Sequence, residues 1–399
     1  MPELAEETRG LGDLAARGVA AMTALVQKTH AAIATRSFGA GAAGTLARRP
    51  HDAVAGLSYA AVRGLSGLAL RGAGIVGGET VRGRRPLADT PGGTLALGAL
   101  NGVVGDRLER HRSPLATEME LRQRGERVAI APRELAVRFP EAGERVAVFV
   151  HGLCETDRTW WLGADREGGD NYGAMLRHDL GHTPLYVRYN SGRPISANAR
   201  ALSDLLDRVV QYWPVEVEEV VLVGHSMGGL VARCACHAGL VDDAAWVERV
   251  RHVFYLGSPH VGADLAKGAH VATSLLGVLP ETRPFAEALD RRSAGIKDLR
   301  HRQQAPFVET ATHYFIAATL TEDPSHPVGR LVGDLLVRLP SAWADGQHSE
   351  HRRFDLERSH SIGPLTHFDL LNHPAVYREM RRWVERSPDR RHGAARVDQ

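Results

Sequence analysis

From about residue 125 onward, the hydrophobic positions follow a pattern of alternating strands and helices. Short apolar runs, rich in β-branched residues, predict strands at 127–131, 145–150, 184–189, 220–223, 252–256 and 313–319. Apolar residues at helical spacing lie between several of these runs, as at Ile195–Tyr212 and Met227–His237. This alternation predicts an α/β fold, with a mostly parallel sheet and helices on both faces.

Residues 1–124 have a different texture, rich in Ala, Gly and Arg. Two apolar series at helical spacing predict helices there, namely Met22, Leu25, Val26, Thr29 and Ile33, then Ala53, Leu57, Ala60, Ala61 and Leu65. We therefore predict an N-terminal helical extension at 1–124, a catalytic domain at 125–387 and a polar C-terminal tail at 388–399.

The extension has two interpretations, a helical unit packed on the catalytic domain or a segment that contacts lipid. We favour the first because the helices lack a Trp/Phe-rich apolar face opposite a Lys-rich face. Peripheral membrane contact stays open. The longest uncharged run, Thr90–Gly105, is short for a membrane span and rich in Gly, so no transmembrane helix is predicted.

Composition narrows the class of protein. Hydrophobic residues make up 43% and charged residues 24% of 399, as in ordinary globular proteins. The net charge of +2 argues against nucleic acid as an obligate partner. Three cysteines are too few for a disulfide framework and lack zinc-ligand spacing, so we expect free thiols. The acidic N-terminus has no apolar signal-peptide region, and together these features predict a cytoplasmic protein.

The stretch "VVLVGHSMGGLVARC" carries the strongest chemical signal. An apolar strand runs into Gly224-His225-Ser226-Met227-Gly228, and a helical pattern follows directly. A serine between two glycines, at a sharp turn from strand to helix, is a nucleophile elbow. The alternative is a serine that only caps the following helix. The strand and helix on either side favour Ser226 as a nucleophile.

A serine nucleophile requires oxyanion donors, a base and an acid that orients the base. His151-Gly152 ends the predicted strand at 145–150, so the backbone N–H groups of Leu153 and Met227 are the predicted oxyanion donors. His-Gly could also be a simple turn after a strand.

The acid and base are expected after the serine, in that order. Asp334 follows a Gly and precedes an apolar run, and its rivals are Glu322 and Asp323; spacing alone does not choose among them. His367 precedes the terminal apolar helix and is the favoured base. His360 and His373 are its rivals.

These motifs together resemble the α/β-hydrolase superfamily, in particular bacterial triacylglycerol lipases and GPI inositol-deacylases. The resemblance covers about 145–386 and rests on "FVHGLCETDRTW", "RYNSGRPIS", "LVGHSMGGLVAR", "LGSPHVGAD", "VGDLLVRLPSA" and "HFDLLNHPAVY". It implies an α/β-hydrolase fold with Ser226 as nucleophile, Asp334 as acid and His367 as base. Leu335 stands where the family usually has Gly, a departure beside Asp334.

The resemblance also gives a meaning to residues 262–312, which join two predicted strands. Their apolar run at 271–279 suits a cap or lid helix over an acyl chain. An ordinary crossover helix is an equal alternative.

The favoured function is a serine carboxylic ester hydrolase, an esterase or lipase that acts on a lipid-like or acyl ester without metal or cofactor. An acyltransferase or thioesterase with the same acyl-enzyme is the second hypothesis. A non-catalytic hydrolase-like scaffold is the third, and it gives no use to a strained turn at Ser226.

Overall fold

The computed structural model describes residues 4–38, 42–81, 85–260, 293–299, 305–321 and 358–386. Within these residues, one eight-stranded sheet has the order β2-β1-β4-β3-β5-β6-β7-β8. Its strands are β1 (Glu120–Gln123), β2 (Glu126–Val128), β3 (Arg145–Val150), β4 (Thr183–Arg188), β5 (Glu219–His225), β6 (Val250–Leu256), β7 (Thr312–Ala318) and β8 (Ser359–Ile362).

The helices lie N-terminal to the sheet, between its strands or, for the last one, after the final strand. They are α1 (Leu4–Phe38), α2 (Ala42–Thr80), α3 (Pro91–Arg110), α4 (Pro132–Arg138), α5 (Tyr172–Leu180), α6 (Ile195–Tyr212), α7 (Met227–Val241), α8 (Ala294–Asp298) and α9 (Pro374–Arg386). Strands β3 to β8 are parallel, and β1 is antiparallel to both of its neighbours. The predicted α/β fold is confirmed.

Both faces of the sheet are covered, as the apolar strands require. On β3, Val146, Val148 and Val150 enter one buried cluster, which α6 and α7 complete. Ala147 and Phe149 enter the cluster on the opposite face, with residues of α5 and α9. A central strand that is buried on both faces needs apolar residues at every position, which explains the unbroken run.

The predicted element bounds are close for the central strands and less so at the edges. β3 and α6 begin and end where the sequence predicts, whereas the strand predicted at 127–131 is only Glu126–Val128. β1 and β8 were not expected, and β1 lies ahead of residue 125. The division of the chain into domains at that residue stays a prediction.

Candidate active site

Ser226 lies at the turn from β5 into α7. Its φ of 51° and ψ of −123° are a conformation that non-glycine residues rarely adopt. The backbone N–H of Ser226 donates to the carbonyl of Leu256 at 2.8 Å, which ties the turn to the end of β6. A serine held in a strained backbone at a strand end has the geometry of a nucleophile elbow.

The glycines around Ser226 are required by close backbone approach. A Cβ at Gly224 would lie 2.4 Å from the Cα of Gly229, and one at Gly228 would lie 2.1 Å from the carbonyl oxygen of Val150. Any side chain at these positions would push β5, α7 and the end of β3 apart. The turn can therefore be this sharp only with glycine on both sides of the serine.

The loop after β3 passes directly beside the elbow. A Cβ built on Gly152 would lie 3.0 Å from the Cβ of Ser226. The His151 ring stacks on Tyr189 at 4.3 Å between centroids, and the Tyr189 hydroxyl donates to the His151 carbonyl at 2.7 Å. Burial lowers the pKa of His151 to about 4, so this imidazole is neutral and serves to hold the loop.

The two predicted oxyanion donors, Leu153 and Met227, directly follow Gly152 and Ser226 in the sequence. Met227 is the first residue of α7, so its N–H is among the four that have no carbonyl partner within the helix. Leu153 follows Gly152 in the loop that touches Ser226. Their role as oxyanion donors stays a prediction.

His367 lies beside the same elbow. It begins the short 3-10 helix His367–Leu370 and is 2% exposed. A Cβ on Gly257 would lie 3.0 Å from Cε1 and 3.1 Å from Nδ1 of the His367 ring. Gly257 follows Leu256, whose carbonyl accepts the N–H of Ser226. The structure thus brings together the end of β6, the predicted nucleophile and the predicted base.

The other two histidine candidates have different surroundings. His360 lies in β8, paired in register with Ile316. The Nδ1 atom of His373 accepts the N–H of Ala375 at 3.2 Å, at the start of α9, and its own N–H donates to the Tyr172 hydroxyl at 2.7 Å. Those contacts fit a helix-boundary residue.

The acid candidates Asp334, Glu322 and Asp323 lie outside the described residues, as does most of the predicted cap or lid at 262–312. Within that insertion the structure describes only α8 and its neighbours and the approach to β7. Asp298 in α8 accepts the N–H of Ile195 at 2.8 Å, which anchors this part of the insertion to the start of α6.

A buried ion pair that sequence reasoning missed lies behind the elbow. The His225 Nδ1 atom is 2.8 Å and 3.0 Å from the two carboxylate oxygens of Glu155, and its Nε2 atom is 3.2 Å from the carbonyl oxygen of His367. Both ring nitrogens face acceptors, which favours an imidazole that carries hydrogen on both and is cationic. Glu155 also accepts the N–H of Gly152 at 2.7 Å.

The pair lowers the pKa of the Glu155 carboxyl. Burial raises the pKa of this carboxyl, but the His225 cation and the Gly152 N–H outweigh burial and hold the pKa below its ordinary value. The pair links three segments, namely the loop after β3, the residue before Ser226 and the backbone of His367. The sequence signal was a carboxylate in "HGLCETD", four residues after His151.

Helix α3 of the N-terminal region packs onto the loop after β3. A Cβ on Gly102 would lie 2.3 Å from the Sγ atom of Cys154, and one on Gly98 would lie 2.6 Å from Cγ2 of Thr156. The N–H of Cys154 donates to the Ser191 hydroxyl at 3.0 Å. Glycines thus allow α3 to press directly against the loop that contains Leu153.

Two other features bear on ligands. Among the described residues, no three His, Cys, Asp or Glu side chains cluster as metal ligands would. A cavity of about 740 Å³ lies between α1, α3 and the β1–β4 edge of the sheet, and Glu7, Arg127 and Arg188 are among its lining residues. Neither Ser226 nor His367 lines it, so it is separate from the elbow.

Comparison with known proteins gives one family match. Residues 143–277 match the family model of the PGAP1-like alpha/beta domain. No curated protein sequence matches the chain.

Solved structures with some likeness include a lipase, BlEst2 of Bacillus licheniformis in its mature form, at 18% identity and a TM-score of 0.42, covering 60% of this chain and 91% of that one. The lin2722 product of Listeria innocua has 14% identity and a TM-score of 0.38, covering 61% and 95%. Phospholipase PlaB of Legionella pneumophila has 15% identity and a TM-score of 0.32, covering 50% and 46%.

The matched residues contain β3, the loop beside the elbow, β5 and Ser226 itself. The sheet order, the elbow geometry and this match agree on one fold. The chain therefore has an α/β-hydrolase fold, and its residues 143–277 are similar to the PGAP1-like alpha/beta domain.

Proposed function

We propose that this protein is a serine carboxylic ester hydrolase. The observation that carries the proposal is the backbone of Ser226, at φ 51° and ψ −123°, beside the Gly152 loop and tied to the end of β6, where Gly257 approaches the ring of His367. A strained serine costs about 1–3 kcal/mol and persists where function uses it. The family match supports a hydrolase, and the geometry around Ser226 supports a serine nucleophile.

In the proposed reaction, His367 accepts the proton of the Ser226 hydroxyl as its Oγ atom attacks the acyl carbonyl carbon. The carbonyl oxygen becomes an oxyanion, to which the N–H groups of Leu153 and Met227 donate. When the intermediate collapses, the bond to the leaving alcohol breaks and that alcohol takes the proton from His367. An acyl-enzyme on Ser226 remains.

The second half of the reaction repeats these roles with water. His367 removes a proton from the water as its oxygen attacks the acyl carbon, and Ser226 leaves with a proton returned from His367. We assign Asp334 as the acid that orients His367, from its place in chain order and in the hydrolase motif. No step requires a metal or an organic cofactor.

The substrate is proposed to be an acyl or lipid-like ester, as the resemblance to lipases implies. Alcohol or thiol acceptors would use the same acyl-enzyme, so product analysis with added alcohols decides between a hydrolase and an acyltransferase.

The test is hydrolysis of p-nitrophenyl esters of graded acyl length. Ser226→Ala should lower kcat by about 10⁴–10⁶-fold, because the nucleophile is lost while the rest of the site remains. Ser58→Ala in α2 is the matched control, since its exposed hydroxyl donates only to the Val54 carbonyl, and it should leave kcat unchanged. Equal activity of wild type and Ser226→Ala would overturn the proposal.

A further inference from the structure

Helices α1 and α2 form an antiparallel hairpin with glycine at close contacts. A Cβ on Gly12 would lie 2.8 Å from the Cα of Gly74, and one on Gly78 would lie 2.7 Å from the carbonyl oxygen of Ala5. The face of α2 that meets α1 there is therefore built from small residues. Its large apolar side chains must lie elsewhere on the helix.

Those side chains lie on the opposite, exposed side, which we call the outer face of α2. It consists of Leu46, Val54, Leu57, Val62, Leu65, Leu68, Ile75 and Val76, all between 48% and 73% exposed. With about 3.6 residues per turn, the eight positions fall within an arc of about 160°. They make one continuous apolar stripe, of the kind that a soluble surface rarely presents.

The charges of α2 are directed away from this stripe. Between Ala53 and Gly78 the only charged residues are Arg63 and Arg71. Arg63 donates to the Gln27 side chain at 2.5 Å, and Arg71 donates to Asp13 at 2.9 Å. Both acceptors belong to α1, so both guanidinium groups are held on the α1 side of the helix, with Arg71 52% exposed at the edge of the outer face.

By length and composition alone, residues 48–80 of α2 are long enough and apolar enough to cross a membrane. The hairpin argues for a different placement. An embedded hairpin would carry the ion pairs of Asp13 with Arg17 and Arg71 into hydrocarbon, which is costly. A helix that lies flat buries only its apolar stripe in the lipid and leaves α1 in water.

Basic residues lie at both ends of the apolar stretch. Arg48 and Arg49 precede it, Arg48 in an ion pair with Asp52 at 2.8 Å, and Arg82, Arg84 and Arg85 follow Glu79 in the sequence, so the flanks are net basic. Each cation close to an anionic lipid surface contributes about 1 kcal/mol of attraction. We propose that the outer face of α2 docks on the surface of a bilayer that contains anionic lipid.

This proposal concerns binding and goes beyond the proposed ester hydrolysis. Vesicle binding needs no catalytic residue, so Ser226→Ala should bind vesicles as the wild type does. Loss of either property leaves the other measurable.

The test is flotation of the full-length protein with phosphatidylcholine vesicles that contain phosphatidylglycerol. Wild type should float with them, and Leu57→Glu, Leu65→Glu and Leu68→Glu combined should lower the bound fraction at least about tenfold. The matched control places the same three charges on exposed apolar residues elsewhere, as Val137→Glu, Leu240→Glu and Val241→Glu. That control should float as the wild type does, and circular dichroism checks the folding of both variants.

Two results would overturn the proposal, namely that wild type fails to float or that the outer-face variant floats equally well. If wild type fails to float and sedimentation without lipid shows an oligomer that only the outer-face variant disrupts, the stripe is instead an interface between copies of the chain.

Discussion

The imidazole of His225 and the carboxylate of Glu155 form a buried ion pair, 2.8 Å apart, immediately behind Ser226. Because the second ring nitrogen of His225 faces the His367 carbonyl at 3.2 Å, the pair also fixes the segment that holds the predicted base. Glu155 in turn accepts the N–H of Gly152 beside the nucleophile. One charge pair thus positions three parts of the site, although neither residue has to contact substrate.

Removing the charge of Glu155 should therefore affect stability and activity together. Glu155→Gln leaves the His225 cation buried without its counter-charge, which costs about 3–5 kcal/mol of unfolding free energy. Urea unfolding measures this loss. Glu141→Gln is the control, because its side chain is 80% exposed and its ion pair with Arg177 lies at the surface, so stability should change by at most about 1 kcal/mol. Equal stability of the two variants would contradict the role of the pair.

In the loop beside Ser226, the proposed oxyanion donor is the backbone N–H of Leu153 and not its side chain, which two substitutions can test. A methyl group at Gly152 would press on the Glu155 carboxylate and the Ser226 Cβ, so Gly152→Ala should lower kcat/KM by about 10²–10³-fold through a displaced oxyanion donor. Leu153→Met keeps the backbone N–H and should stay within a few-fold of wild type. Kinetics with one p-nitrophenyl ester compares them, and a larger loss in Leu153→Met would be against a main-chain role.

Helix α3 should act on catalysis through Cys154. Gly102→Ala places a Cβ within 2.3 Å of Sγ and 2.8 Å of the backbone nitrogen of Cys154, so the loop or the helix must shift. Gly92→Ala, in the same helix, has nothing within 4 Å of the added Cβ and is the control. Gly102→Ala gains about 1 kcal/mol of helix propensity in the interior of α3, yet of the two variants only Gly102→Ala should lose turnover. Unchanged turnover in Gly102→Ala would show that α3 does not position the loop.

Buried neutral histidines should make stability depend on pH. His313 accepts the Tyr255 hydroxyl at Nδ1 and donates to the Val308 carbonyl at Nε2, and burial lowers its pKa from 6.5 to about 4. Because the folded pKa lies below the unfolded one, the unfolded chain takes up the proton first. Stability therefore falls as pH is lowered from about 6.5 to 4.

His313→Gln removes one such group. Between pH 6 and 4.5, its unfolding free energy should fall less steeply than that of wild type, by up to about 1.4 kcal/mol per pH unit. Urea unfolding at a series of pH values gives both slopes. Identical slopes would mean that His313 does not stay neutral in the folded protein.

The sequence predicted the centre of the fold better than its edges, for a physical reason. β3 and β5 lie between other strands and beneath helices, so burial on both faces forces unbroken apolar runs that can be read from residues alone. β1 and β8 are four-residue strands, and β1 reads "ELRQ", with no apolar run. β1 and β8 are strands because they pair with β4 and β7, and the residues of a short segment do not indicate which distant strand it will pair with.

The site shows the same division between local and distant information. The elbow could be predicted because Gly224, Ser226 and Gly228 lie within five consecutive positions and their spacing encodes the turn. His225 and Glu155 are 70 positions apart in the sequence, and no local pattern around either residue predicts their contact. His367 was predicted from chain order and from the resemblance to α/β-hydrolases, and the structure sets its ring against Gly257. Asp334 lies outside the described residues and stays a prediction.

The central claim is that Ser226 is an activated nucleophile. The most direct measurement is mass spectrometry after reaction with a fluorophosphonate, which forms a covalent bond to an activated serine oxygen with loss of fluoride. We predict one adduct, on the peptide that contains Ser226, which disappears in Ser226→Ala and slows strongly in His367→Gln. An unlabelled Ser226 in folded wild-type protein, or equal labelling of His367→Gln, would contradict the account.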